Sequence, residues 1–285
     1  MRVLGAGDYG SVRPLVAANR EAGHMAFVHA VLDGSMPGSV AVDDAGSPRS
    51  AVVVAHSGFA FAIGQARGDL FAPFLPQWLA TCLSDEPTAL WATTHEWEEH
   101  LGPLFAERDF RNEYHCVAAT GAGPATRPLR PGFELRPIDL ELARDGFEGR
   151  VDPWVVRIWG GPEAFMERAF GTAVVRDGVL ASFCTVCAMG GPSGAVEAEI
   201  EIGTAADSRR LGLAEHAGRA FIAETRARRL LPAWTCRSSN AASAGLAERL
   251  GFVYFRRVTG YPVHPQMAQR HGRWVLPDDA QRQPG

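Results

Sequence analysis

The stretch from Glu197 to Arg229, EAEIEIGTAADSRRLGLAEHAGRAFIAETRARR, constrains this chain more than any other. It opens with alternation. Glu197, Glu199 and Glu201 fall on one side, and Ala198, Ile200 and Ile202 on the other, the period of a strand with one buried face. A short polar turn, Ala205 to Ser208, follows. Then Arg209-Arg210-Leu211-Gly212-Leu213-Ala214 runs into a helical pattern with Leu213, Ala217, Ala220 and Phe221 on one stripe. A strand, a turn of small residues and a helix start bring free backbone N–H groups and a positive dipole end to one point. That point suits an anionic oxygen cluster such as a pyrophosphate.

The rest of the chain supplies elements for this unit to pack on. Residues 11–35 suggest a helix and then a strand from Met25 to Leu32, and Ser39 to Asp44 reads as a strand ending in a turn. Ala51–Ala55 and Phe59–Ile63 flank His56-Ser57-Gly58 as a hairpin. Residues 71–83 and 96–106 look helical, and Tyr114 to Ala118 extended. Gly121 to Gly132 is rich in Gly and Pro without periodicity, the pattern of a linker. After it come a strand at Phe133–Arg136, a helix at Pro162–Phe170, and strands Ala173–Arg176 and Val179–Cys184 around an Asp177-Gly178 turn. Beyond the opening stretch, Ala233–Arg237 reads as a strand, Ala241–Leu250 as a helix stopped by Gly251, and Phe252–Tyr261 as a strand. This order predicts an α+β (mixed α/β) fold, a mixed sheet flanked by helices. No internal repeat is visible, and the polar residues from Gln266 suggest a loosely ordered tail.

Composition narrows the function classes. At 285 residues the chain is long enough for two domains, and its 46% hydrophobic content supplies a core. The net charge of −4 gives no basic field, so nucleic acid is not an expected partner. Five cysteines without framework spacing point to reduced thiols and a cytoplasmic setting. The start, MRVLGAGDYG, lacks the apolar core of a signal peptide, and no apolar run approaches a membrane span.

Three motifs imitate other chemistries. Gly5-x-Gly7-x-x-Gly10, with Asp33 downstream, matches a dinucleotide fingerprint and keeps an oxidoreductase as an alternative. Only Val3 and Leu4 precede it, and Pro14 sits where a helix should form its ladder. His95-Glu96-x-x-x-His100 has one residue too many for a zinc helix, because five positions turn the second imidazole roughly 140° from the first. Cys184-x-x-Cys187 lies within a strand pattern and reads as core packing. No metal is expected.

Taken together, Arg209-x-x-Gly212-x-Ala214 after a strand resembles the acyl-CoA pyrophosphate loop of the GNAT N-acetyltransferases. Asn240-x-x-Ser243-x-x-x-Ala247-x-x-x-Gly251-Phe252 resembles that family's Asn-x-x-Ala…Tyr-x-x-x-Gly-Phe segment, with Ala247 where the tyrosine acid usually stands. Pro37 to Asp44, Trp159 to Phe165, Glu199 to Ala214 and Pro232-x-Trp234-x-Cys236 are similar to the subgroup that includes the zwittermicin A resistance acetyltransferase. In that subgroup Ser and Ala at positions 243 and 247 are usual. The resemblance implies an N-terminal α/β domain of related but degenerate fold at 1–125, a linker at 126–132, an acetyltransferase domain at 133–263 and a tail at 264–285.

It further implies direct transfer from acetyl-CoA to a small-molecule primary amine. Thr204, Arg209, Arg210, Leu211, Gly212, Leu213, Ala214, Asn240 and Ser243 would hold the acetyl-CoA. An amine acceptor needs a base to take its proton, and Glu199 and Glu201 stand nearest the loop. A non-catalytic acyl-CoA-binding or sensing protein is the other alternative. The acceptor, the general acid and the oligomeric state stay open.

Overall fold

The computed structural model describes residues 1–18, 23–67, 71, 74–82, 88–116, 127–147, 158–192, 194–264 and 266–276. It divides into two compact units. One is made of Met1–Arg111, Arg237–Ser239 and Arg257–Gly285, the other of Asn112–Cys236 and Asn240–Arg256. The chain therefore passes from one unit to the other at 111/112, 236/237, 239/240 and 256/257, three of these points lying inside strands, while the region expected as a linker falls within the second unit. Of that region, residues 121–126 lie outside the described residues, and 127–132 carry no helix or strand.

The first unit begins with β1 (Arg2–Val3), a 3-10 segment at Ala6–Val12, and helices α1 (Arg13–Ala18) and α2 (Ala26–Leu32). Strands β2 (Gly38–Val42), β3 (Ser50–Ala55) and β4 (Phe59–Gly64) follow, then α3 (Leu75–Cys82), β5 (Thr88–Ala92), α4 (His95–Leu101) and the start of β6 (Asp109–Cys116). The expected hairpin is present, with Ala55 opposite Phe59 across the His56–Gly58 turn. Met25–Leu32, expected as a strand, is a helix. Its Ala26, Phe27, Val28, Ala30, Val31 and Leu32 are all buried, and an apolar run covered on every side fits either element. Helix α2 lies so close to β2 that a Cβ on Gly38 would stand 2.5 Å from the Val31 side chain. Strand β5, which short TALWA did not announce, pairs parallel to β4.

The second unit runs β7 (Phe133–Pro137), α5 (Leu140–Phe147), α6 (Pro162–Arg168), β8 (Gly171–Arg176), β9 (Val179–Gly190), β10 (Glu197–Thr204), α7 (Leu213–Ala227), β11 (Leu231–Arg237), α8 (Ala241–Arg249) and the first half of β12 (Phe252–Val263). Asp177 and Gly178 both take positive φ, 53° and 78°, as a two-residue hairpin turn of this kind requires. Helix α5 was not anticipated, although Asp139 marks its start by accepting the Leu142 N–H at 2.9 Å. Helix α7 buries Leu213, Ala217, Phe221 and Thr225, one residue every four, over β8 and β9. Phe221 stacks on Phe170 at 5.1 Å, and Thr172 donates its hydroxyl to the Ala217 carbonyl at 2.7 Å.

The second half of β12 returns to the first unit, pairing antiparallel with β5. Beyond it, the residues expected as a loose tail form a hairpin of β13 (Ala268–Arg270) and β14 (Arg273–Val275). The hairpin is tied down by Trp274, whose N–H reaches the Leu104 carbonyl at 2.7 Å. Among the described residues, no helix is long and apolar enough to cross a membrane.

The two units share a topology that the sequence hides. In each, four antiparallel strands (β1–β4, β7–β10) lead to a parallel partner (β5, β11) after a helical crossover that includes, among the described residues, α3 or α7, and a further helix (α4, α8) follows.

Candidate functional site

The candidate site residues gather where β10 and β11 part. The parallel pairing covers only Glu197 to Glu199 against Leu231 to Ala233, although β10 continues to Thr204 and β11 to Arg237. Ile200 to Thr204 keep their pairing with β9. Ala205 donates to the Ala181 carbonyl at 2.9 Å, which makes 205 opposite 181 a hydrogen-bonded pair. In an antiparallel ladder such pairs alternate, so the N–H and C=O groups of Ile202 and Thr204 turn away from β9 toward the gap left by β11. The result is a fork with one strand edge that β11 leaves uncovered.

At the open end the chain makes a single 3-10 turn, Ala206–Ser208, and then two left-handed positions, Arg210 at φ 62° and Gly212 at φ 81°. An arginine held there costs about 1 kcal/mol, and glycine none. This aims Leu211, Gly212, Leu213 and Ala214 into the start of α7. Gly212 caps that helix without a side-chain bond. By contrast Thr94 caps α4 by accepting from Trp97, and Asn240 caps α8 by accepting the Ser243 N–H at 3.0 Å. The Gly212 carbonyl takes the Glu215 N–H at 3.2 Å, and the N–H groups of Leu213 and Ala214 have no intrahelical acceptor. Glu215, the acid in the first turn, is held by Arg219 at 3.1 Å and lies 3.8 Å from Arg249, so its charge is matched. Exposed Arg209 and Arg210 flank the turn, and Arg209 Nε donates to the Thr204 carbonyl at 3.3 Å.

Glu199 stands at the apex of the fork. Although it was read as part of a polar face, it is only 4% exposed, and its Oε1 accepts the Thr235 hydroxyl of β11 at 2.6 Å. Glu201 is half-buried near Cys184, whose thiol is pushed well above its ordinary value by burial first and by the Glu201 charge second. Thr172, Cys184 and Ile202 oppose one another across β8, β9 and β10, and Thr172 bonds to α7. Directly paired residues share a face, so Glu199 and Glu201 project from the face away from α7.

The remaining candidates separate cleanly. Ala247 is fully buried in α8. Tyr261 lies in the core of the first unit, donating to the Glu98 carbonyl at 3.1 Å, while Tyr254 is half-exposed with its ring edge-on to Tyr114. Gly5 to Gly10 form a 3-10 turn after a two-residue strand that pairs antiparallel with β2. A parallel strand–turn–helix unit is what a dinucleotide needs, so the oxidoreductase alternative fails on geometry. His95 faces Glu98 and Glu99 on an exposed helix side, and Cys184 and Cys187 are buried. Among the described residues, no group of three His, Cys, Asp or Glu is placed to hold a metal ion.

Sequence reasoning missed two contributors. The Ile202 backbone was legible, two positions before Thr204 on the same alternation. Thr235 was not, because the register between β10 and β11 leaves no mark in either segment.

The chain is 27% identical over 242 residues to an uncharacterized N-acetyltransferase YdfB of Bacillus subtilis (strain 168), covering 84% of this chain and 89% of that protein. Its fold is shared with a GCN5-related N-acetyltransferase-like protein from Streptococcus suis 89/1591, at TM-score 0.68 and 21% identity, covering 90% and 99% of the two chains. A tandem GNAT protein from the clavulanic acid biosynthesis pathway matches at TM-score 0.62 and 15% identity, over 94% and 98%. The family model described as GNAT acetyltransferase matches residues 18–261. The forked strands, the uncapped helix and this match lead to one conclusion: the chain belongs to the GNAT acetyltransferase family and is an N-acetyltransferase.

Proposed function

We propose that the chain transfers an acetyl group from acetyl-CoA to a primary amine of a small molecule, directly and within a ternary complex. The observation that carries this is the fork. It offers the pantetheine arm the outward backbone of Ile202 and Thr204, which β11 leaves uncovered, next to a helix start whose N–H groups no side chain caps. In this reading the N–H groups from Arg210 to Ala214 hold the pyrophosphate, with α7 behind them and Arg209 and Arg210 adding charge. Asn240 and Ser243 at the head of α8 steady the arm.

The amine arrives as an ammonium. Glu199, or Glu201, takes its proton, directly or through a water. The nitrogen then forms a bond to the thioester carbon, the C–S bond breaks, coenzyme A leaves as a thiolate, and the nitrogen gives its second proton to solvent water as the amide forms. A thiol titrates near about 8.5, so this leaving group departs as an anion and takes its proton from solvent. A buried alanine in place of the tyrosine at 247 is compatible with that step. No cysteine needs to carry the acetyl group, and Cys184, held protonated by burial, is poorly suited to do so.

The same proposal assigns 1–125 to an N-terminal domain and 133–263 to the acetyltransferase domain, and places the chain in the subgroup that includes the zwittermicin A resistance acetyltransferase. Ser243 and Ala247 support that subgroup. The buried cysteines Cys184, Cys187 and Cys236, none of them in a disulfide, support a cytoplasmic setting.

The test is a panel of small primary amines with acetyl-CoA, followed by free-thiol release and product mass. Acetylated amine should appear in step with thiol, and initial-rate lines at varied acetyl-CoA should intersect. Parallel lines with an acetylated cysteine on the protein, or acetylation of proteins but of no small amine, would contradict it.

A further inference from the structure

Strand β7 ends the sheet. It pairs with β8, and among the described residues no strand pairs with its other side. The register decides which groups it presents there. Ile138 donates to the Gly171 carbonyl at 3.0 Å, so 138 opposite 171 is a hydrogen-bonded pair. Counting back by twos, Arg136 opposite Ala173 and Glu134 opposite Val175 are hydrogen-bonded pairs as well. Phe133, Leu135 and Pro137 therefore turn their backbone outward. Phe133 gives its N–H to the Arg130 carbonyl at 3.2 Å, and proline has none to give. Within β7 it is Leu135 that offers both an outward N–H and an outward C=O.

The side chains sort by face. Pro137 is opposite Thr172, which bonds to α7, so Pro137 and Leu135 stand on the α7 face and Glu134 and Arg136 on the other. Glu134 is exposed. Arg136 reaches Asp139 with one terminal nitrogen at 3.4 Å, and its side chain is 31% exposed. Leu135 and Met166, 40% and 39% exposed, line a groove of about 730 Å³ with Phe170, Met189 and Leu230, between β7, the end of α6 and α7.

We propose that β7 is the pairing edge of a homodimer, to which a second copy adds its own β7, antiparallel, about a two-fold axis through Leu135. In that register the two Leu135 residues exchange both backbone hydrogen bonds. Glu134 of each copy falls opposite Arg136 of the other in a non-hydrogen-bonded pair, where side chains come closest. Moving the axis to either neighbour sets Glu134 against Glu134 or Arg136 against Arg136, so charge selects the register. The two Leu135 side chains meet on the α7 face, where the apolar linings of the two grooves join. A short edge carrying charges and a proline resists open-ended pairing, whereas a two-fold pairing closes after one partner.

Sedimentation velocity of the full chain, between about 1 and 100 μM, tests this. The wild type should move from the mass of one chain toward that of two. Glu134→Arg and Arg136→Glu should each weaken the dimer about tenfold or more, because like charges then face each other twice. An equimolar mixture of the two variants should recover it, since opposite charges meet again at both pairs, and mixing does not rescue a misfolded chain. A wild type that stays monomeric throughout overturns the proposal. So does a dimer that either variant leaves intact, or one that the mixture fails to restore.

Discussion

Glu199 shows how one side chain comes to be poised at a strand fork. It is buried to 4% exposure at the last point where β10 and β11 touch, and Thr235 donates to its carboxylate from the neighbouring strand at 2.6 Å. A buried carboxylate needs such partners, and a hydrogen bond to a charged group contributes roughly 1.5–3 kcal/mol. Replacing Thr235 by valine keeps the shape and removes the donor. The expected result is a fall in kcat of about tenfold, with KM for acetyl-CoA within about twofold, since 1.4 kcal/mol corresponds to a factor of ten. Thr235→Ser should restore the rate. A Thr235→Val enzyme with unchanged kcat, or one whose loss serine does not repair, removes Thr235 as the residue that positions the base. The glutamate itself was legible, because three acids alternated with apolar residues along one strand. Its burial was not, since Thr235 is 36 positions away and nothing local announces that the two strands meet there.

At the scale of elements, the unit β10–turn–α7 was readable because each part carries its own signal. Alternation marked the strand, Arg209 to Ala214 the turn, and the four-residue stripe from Leu213 the helix. Helix α2 departs from its expected strand for the opposite reason: Ala26 to Leu32 is apolar except at His29, and one polar position sets no period that distinguishes the two elements. Helix α8 offers a test of what its first residue does. Asn240 caps the helix through Oδ1, which accepts from Ser243. Its amide N–H groups are a separate resource, and the proposal gives them to the acetyl-CoA arm. Asn240→Asp keeps the acceptor, so its thermal midpoint should match the wild type while its affinity for acetyl-CoA falls. Asn240→Ala loses the cap, and unfolding should become easier by about 1 kcal/mol as well. Equal acetyl-CoA affinity in wild type and Asn240→Asp, by fluorescence titration, would confine Asn240 to capping.

Across the whole molecule the sequence concealed more. No repeat is visible along the chain, yet both units follow the same order of antiparallel strands, crossover helix and parallel partner. Topology can persist while side chains diverge, because a strand ladder depends on backbone pairing and on which face is buried. In the second unit β10 and β11 part after Glu199, whose carboxylate Thr235 meets from the neighbouring strand. The central claim is that acetyl-CoA lies along this fork with its pyrophosphate at the uncapped start of α7. Gly212 is the place to challenge it. A Cβ there meets nothing within 4 Å, so Gly212→Glu brings a carboxylate to the anion site at a backbone cost of about 1 kcal/mol. Calorimetric titration of acetyl-CoA into wild type and Gly212→Glu, with circular dichroism confirming the fold of both, measures this directly. Saturable binding to the wild type and none to the folded variant is the expected result; equal affinity in the two would contradict a pyrophosphate seat at the start of α7.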